Sequence, residues 1–354
     1  STKNGQPYAP GERFYNPDYA ATLESLAESD CESYYRGEIM KKIVDFSNRT
    51  GGFFAESDFT NYKAQWVEPI TTNYRGYDVW EIPPNGHGIV VLMALNILEG
   101  MDLSAGHDDP ETAHKIMEAL KLAFTDGKRY VADPRAMKPT VEQLLSRDYA
   151  AKRRALIGST ALEPKPGTPY CGDTVYLNAA DGDGNMISYI QSIYCGFGSG
   201  TVLPGTGIVF HNRGNNFTMD ETMENCVAPG KKPYHTIIPG FLSKDGKAVG
   251  PFGVMGGFMQ PQGQAEVIIN ALDYHMNPQE ALDAPRIQWI GGKKLQLERE
   301  AGEDIAQQLR AMGHQVELID DRIAMGRGQI IWRCENGTLI AGTEPRCDGA
   351  VAAW

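Results

Sequence analysis

Cysteine, histidine and clustered basic residues are all too sparse in this sequence to carry the chemistry they usually announce. Six cysteines (Cys31, Cys171, Cys195, Cys226, Cys334 and Cys347) lie far apart with no C-x-x-C pair, which leaves neither a zinc site nor a dithiol redox motif. Dispersed thiols of this kind suit a reducing compartment such as the cytoplasm. Seven histidines are equally scattered, and no H-E-x-x-H pair occurs. Long apolar runs are missing too. The best candidate, Gly88 to Glu99, is broken by Asn96 and falls short of the roughly 20 residues a membrane helix needs, so it reads as a buried helix. Basic clusters stop at pairs such as Lys41-Lys42 and Arg153-Arg154, and the net charge is -12. Phosphate recognition needs clustered positive charge, so nucleic acid is excluded as a partner. A Walker A loop, a G-x-S-x-G elbow and a G-x-G-x-x-G run opening a helix are also absent.

What remains is an ordinary globular composition. The chain has 354 residues, 42% hydrophobic and 22% charged, enough for a sizeable core in one large or two ordinary domains. Residues 1 to about 150 read as mostly helical. Ala113, Ile116, Met117, Leu120 and Phe124 recur at helical spacing, with Gly127 just past them as a stop signal, and Leu144 to Leu156 reads as another short helix. Pro134 to Pro139 and Glu163 to Tyr170 are Pro-rich connections.

From residue 174 the character turns to β. Thr174 to Ala180 and Met186 to Ile193 alternate apolar and polar positions around Asp181-Gly182-Asp183-Gly184-Asn185, which predicts a hairpin. A second hairpin is expected around Ser243 to Lys247, a buried helix over Gln262 to His275, and a βαβ-like stretch from Leu295 onward with its helix at Ile305 to Met312.

Two local features carry chemistry. Thr174 stands between Asp173 and the first strand of the predicted hairpin. Cutting the Asp173–Thr174 bond would give one residue both a hydroxyl and a free α-amine. With an unperturbed pKa of roughly 7.7–8.0, that amine is partly neutral near pH 7 and can take the hydroxyl proton. The Pro-rich stretch just upstream is where an exposed loop would be needed for the cut. The second feature is Gly256-Gly257, which follows the apolar run ending at Met255. Adjacent glycines let backbone N–H groups converge without Cβ obstruction, as an oxyanion site requires.

Read in order, these pieces resemble the γ-glutamyltransferases of the N-terminal-nucleophile hydrolase class over essentially the whole chain. The resemblance is carried by Asp58-Phe59 with Tyr62, Pro69-Ile70, Tyr74-Arg75-Gly76-Tyr77 and Pro83-Pro84. It continues through Asp173-Thr174, the Asp181 to Asn185 turn, Gly196-Phe197-Gly198-Ser199-Gly200, Asn212 and Gly256-Gly257, and ends with Ala284-Pro285-Arg286, Pro345-Arg346 and Asp348-Gly349. It implies an α+β fold, a four-layer αββα sandwich, here without the family's N-terminal portion. It implies a precursor that cuts itself before Thr174, with residues 1–173 ending the large subunit and 174–354 forming the small catalytic one, the two together making one structural domain. No metal or organic cofactor is implied. The partners are a small γ-glutamyl or acyl-amide substrate and the cleaved subunit pair, with a homo-oligomer left open. The compartment is left open as well, because a signal peptide would lie upstream of Ser1.

Residue roles implied by the resemblance place Thr174 as nucleophile and amine base, Ser192 as the hydroxyl bonded to it, and Gly256 and Gly257 as oxyanion donors. Tyr194, Arg213, Asn216, His235 and Thr236 fall at substrate-binding positions, yet depart from the usual pattern. His235-Thr236 stands where typical members have two serines, Asn216 where they have an Asp that pairs with the substrate ammonium, Arg213 for a Gln and Tyr194 for an Asn. Met255 replaces a Pro and Val175 a Thr. An amide in place of a carboxylate removes the opposite charge, which points toward the acylase-like branch. Three readings follow: cleavage of γ-glutamyl amides such as glutathione, with transfer to water or an amino acceptor; a glutaryl or cephalosporin-type acylase; and an unprocessed, non-catalytic homologue with Thr174 intact inside a strand.

Overall fold

The computed structural model describes residues 5–164 and 173–354. These divide into two compact units, residues 1–66 with 197–212 and residues 67–196 with 213–354. The smaller unit is helical at Pro17–Glu28, Glu38–Thr50 and Glu56–Thr60. Its first helix starts where the sequence signals it, with Asn16 Oδ1 accepting from the Tyr19 N–H and Pro17 in the first turn. Ile39, Met40, Ile43 and Phe59 bury themselves around Leu203, and Thr22 Oγ1 donates to the Thr206 carbonyl at 2.8 Å.

The larger unit holds eleven strands among its described residues: β1 (Ile70–Tyr74), β2 (Tyr77–Glu81), β3 (Asp173–Ala180), β4 (Met186–Tyr194), β5 (Gly240–Lys244), β6 (Lys247–Met255), β7 (Ile287–Gly291), β8 (Lys294–Glu298), β9 (Gln315–Ile319), β10 (Arg327–Arg333) and β11 (Leu339–Thr343). Six of them form an antiparallel sheet in the order β1-β2-β5-β6-β10-β11. Helices Gly88–Leu98 and Gln260–Leu272 cover one face, where Val91, Leu92, Leu95, Val267 and Ile268 share a core with Val79, Leu242, Phe252 and Ile330.

The β3–β4 hairpin lies against the same sheet. Asn178 Nδ2 donates to the Gln329 carbonyl at 2.8 Å, and the Tyr176 ring rests on Gly253, where a Cβ would come within 2.4 Å of it. Beside this stack, β7-β8-β9 forms a smaller sheet, with helix Glu303–Ala311 crossing between the parallel pair β8 and β9 as the sequence predicts.

Both predicted hairpins are present, and the β5–β6 turn has Asp245 and Gly246 at positive φ, the geometry that favours a two-residue turn. Three expectations need correction. Gly127 does not stop its helix, which runs Pro110–Tyr130; a Cβ there would lie 2.5 Å from Val90 Cγ2, so the glycine serves close helix packing. The helix expected from Leu144 to Leu156 is two helices, Val141–Leu144 and Arg147–Arg154, because Ser146 caps the second by accepting from the Tyr149 N–H. The supposedly helical first part also contains the β1–β2 hairpin, turned by Arg75 and Gly76, both at positive φ.

Candidate active site

Thr174 sits in a flaw of the β3–β4 ladder. Asp173 pairs with Tyr194 and Val175 with Gln191, so Ser192 and Ile193 together face one residue, Thr174. Such a bulge bends a strand and re-aims its side chains. Here it brings the Thr174 and Ser192 hydroxyl oxygens to 3.1 Å, with Ser192 Oγ also accepting from the Tyr194 N–H at 2.9 Å. Thr174 is only 3% exposed. Tyr194 closes the bulge at φ 80, a conformation uncommon for a bulky residue and concentrated at functional sites. The Asp173 side chain and most of the expected Pro-rich loop, from residue 165 to 172, lie outside the described residues.

The glycine pair stands at the end of β6, and both residues are at positive φ, Gly256 at 140° and Gly257 at 59°. A side chain at Gly256 would also come within 3.0 Å of Gly326 Cα. Tyr176 faces Gly253, and Asn178 Nδ2 reaches toward the Pro251 carbonyl at 3.5 Å.

Arg213 and Tyr194 are brought together, with the guanidinium 5.6 Å from the ring centroid. Burial pushes the Arg213 pKa down and the Tyr194 pKa up, while the Asn216 amide opposes the Tyr194 shift. Burial, with Arg213 and Lys232 nearby, lowers His235 to about 3, so its imidazole is neutral at pH 7. Thr236 is fully buried, and its Oγ1 has no hydrogen-bond partner in the protein. None of Thr174, Ser192, Tyr194, Arg213, Asn216, His235 and Thr236 is acidic.

Sequence reasoning missed the residues that hold these loops. Asn225 donates from Nδ2 to the Asn216 carbonyl (2.6 Å) and accepts at Oδ1 from the Tyr234 N–H (3.0 Å), tying the two substrate-binding stretches together. A strap from Asn85 to His87 bonds the other side. The His235 N–H donates to the Asn85 carbonyl, the His87 N–H donates to the His235 carbonyl, and His87 Nε2 bonds the Thr236 carbonyl at 3.1 Å. Gly86 is the hinge that lets them meet, since a Cβ there would lie 2.9 Å from the His235 ring. The signal available was Pro83-Pro84, which forces an irregular path.

The glycine pair has its own support. Arg286 donates from Nη1 to the carbonyls of Met325 and Gly326 (2.9 Å each) and pairs with Glu344 at 2.7 Å. Glu344 also pairs with Arg346, which in turn pairs with Glu298. Gly326 is the residue against which Gly256 packs, so this buried network fixes the wall behind the pair.

Among the described residues, one group of side chains is close enough to hold a metal: His114, Glu118 and His314. The donor set does not fit a cation. His114 Nδ1 and His314 Nε2 are 2.7 Å apart, a hydrogen bond, and the Lys121 ammonium bonds both Glu118 Oε1 (2.6 Å) and His314 Nδ1 (3.2 Å).

The whole chain, residues 1–354, matches the family described as Gamma-glutamyltranspeptidase. The chain belongs to that family. It is 36% identical over 358 residues to the Glutathione hydrolase-like YwrD proenzyme of Bacillus subtilis (strain 168), covering 99% of this chain and 68% of that protein. It is 35% identical over 358 residues to the Oxamate amidohydrolase proenzyme of Klebsiella pneumoniae, covering 99% of this chain and 67% of that one. Among solved structures, cephalosporin acylase from Bacillus halodurans matches at 54% identity with a TM-score of 0.95, covering 99% of this chain and 65% of the neighbour's. The chain therefore spans about two thirds of the length of these relatives. The γ-glutamyltranspeptidase resemblance and the N-terminal-nucleophile hydrolase fold it implied are both borne out. No helix of the described residues is long and apolar enough to cross a membrane.

Proposed function

We propose that this chain forms the catalytic part of a self-processing amidohydrolase whose nucleophile is Thr174. The observation that carries the reading is the bulge that sets the buried Thr174 hydroxyl against Ser192. In processing, Thr174 Oγ attacks the Asp173 carbonyl carbon and the acyl group shifts from nitrogen to oxygen. Water then cleaves the ester, leaving the Asp173 carboxyl and a free Thr174 amine. In turnover the amine takes the hydroxyl proton, the substrate acyl carbon bonds to Oγ, and the protonated leaving amine departs. Water or an amino acceptor releases the acyl group. The Gly256 and Gly257 amides hold the oxyanion in both steps. The groups this requires are protein groups and water.

The strand order supports a lasting pair of subunits, 1–173 and 174–354. β1 and β2 precede the Asp173–Thr174 bond, while β5, β6, β10 and β11 follow it, and β2 pairs with β5 in one sheet. Cutting the bond therefore leaves the halves hydrogen-bonded to each other.

For the substrate, the charge of the site favours an acyl group that carries a carboxylate and no ammonium, such as glutaryl, over γ-glutamyl. Arg213 supplies a positive charge, His235 is neutral, and Asn216 stands where an acid would be needed to balance an ammonium. The likeness to a cephalosporin acylase agrees with this, and the likeness to a glutathione hydrolase-like proenzyme keeps γ-glutamyl amides as the second reading. Comparing kcat/KM for glutaryl and γ-glutamyl anilides tests it. The glutaryl compound is expected to be the better substrate by about tenfold or more, the worth of one uncompensated charge. A faster γ-glutamyl anilide overturns the preference.

A further inference from the structure

Lys128 is an ammonium framed by rings. Its Nζ lies 5.0 Å from the Phe258 centroid, 5.4 Å from Trp289 and 6.0 Å from Phe124. Among the described residues it has neither a carboxylate partner nor a hydrogen bond, and burial alone shifts it, down to about 8. The neighbouring lysine of the same helix, Lys121, is by contrast satisfied by Glu118, His314 and the Leu162 carbonyl. A half-buried cation resting on three aromatic faces is stabilised by their quadrupoles yet keeps its capacity to donate to an anion.

Its position gives that capacity a use. Phe258 directly follows the Gly256-Gly257 pair, and its ring stacks on Tyr234, the residue before His235. Arg213, a buried cation at a substrate-binding position, lies on a different element and rests on Tyr194, across the ladder from Asp173. Two cations on two elements suit a substrate with a carboxylate on each side of the bond to be broken.

We propose that Lys128, in its frame of Phe124, Phe258 and Trp289, is an anion-binding subsite that takes a carboxylate on the amine side of the scissile amide. The inference rests on the amidohydrolase reading above and names the part of the substrate that reading left unspecified.

The test uses two glutaryl amides that share an acyl group, one of nitroaniline and one of a carboxynitroaniline. Lys128→Met is expected to raise KM for the carboxylated anilide about tenfold, to move KM for the neutral one by less than about twofold, and to leave kcat for both nearly unchanged. Lys128→Arg should restore part of the loss. Equal effects on both substrates, or on neither, overturn the proposal.

A second measurement on the unmodified protein needs no turnover. Acetylation of Lys128 by acetic anhydride, read by peptide mass spectrometry, should be slowed severalfold by free carboxynitroaniline and not by nitroaniline. If the protein cleaves the amides but neither amine protects Lys128, the subsite is wrong and the reaction stands. If it cleaves no amide while the carboxylated amine still protects, the reaction is wrong and the subsite stands.

Discussion

The two flanks of the β6–β10 ladder are built on opposite principles. On the nucleophile flank the side-chain contact is between neutral groups, the Thr174–Ser192 hydroxyl pair, with the Tyr194 N–H on Ser192 and a tyrosine at positive φ. On the other flank, Arg286, Arg346, Glu298 and Glu344 are all buried and bonded several times over. The contrast separates a neutral, hydrogen-bonded reacting pair from the ion pairs that hold the scaffold. A hydroxyl that must attack cannot be locked by many partners, so the rigidity is supplied one layer away, where Arg286 grips the Met325 and Gly326 carbonyls behind Gly256.

The comparison breaks most completely at the nucleophile. Thr174→Ala should abolish both chain cleavage and amide hydrolysis, while the uncut variant keeps a cooperative thermal unfolding transition.

On the scaffold flank the signature should reverse. Arg346→Met leaves two buried carboxylates short of a partner and should cost about 3–5 kcal/mol of stability in denaturant unfolding, with activity falling only because folded protein is lost.

A pH-dependent difference sharpens the picture further. Burial pushes Glu266 up to about 8 from an ordinary value of 4.5. Its folded value lies above its unfolded one, so its contribution is complete below pH 4.5 and drains away as pH rises through about 8. Glu266→Gln keeps the acceptor for the Ile287 N–H and should remove that loss, on the order of 2–4 kcal/mol between pH 5 and pH 8.5 in paired unfolding curves. Ser192→Ala should give the smallest effect. Turnover falls about tenfold, ~1–2 kcal/mol in the barrier, with unfolding nearly unchanged.

How much of this was legible in the sequence follows from the range of the forces involved. The Asp181 to Asn185 and Lys244 to Lys247 turns are local backbone chemistry, and both hairpins stand where the turn residues put them. Thr174, Ser192 and the glycine pair were legible as residue types in order, and the structure sets Ser192 against Thr174. Their precise geometry was not legible. The bulge depends on a one-residue mismatch between two strands that each look regular alone. Gly127 was misread because its reason is a valine on another helix. The β1–β2 hairpin was hidden inside a helical region, although Tyr74-Arg75-Gly76-Tyr77 already carried the turn. The Arg286–Glu344 pair joins residues 58 apart and leaves no periodic trace, so only the fold could reveal it.

The measurement that tests the central claim most directly is the intact mass of the purified full-length protein beside its Thr174→Ala variant. Two fragments from the unmodified protein, one of them beginning at Thr174, with one uncut chain from the variant, is the predicted result. A single uncut chain from both would leave Thr174 without a free amine and would contradict the account.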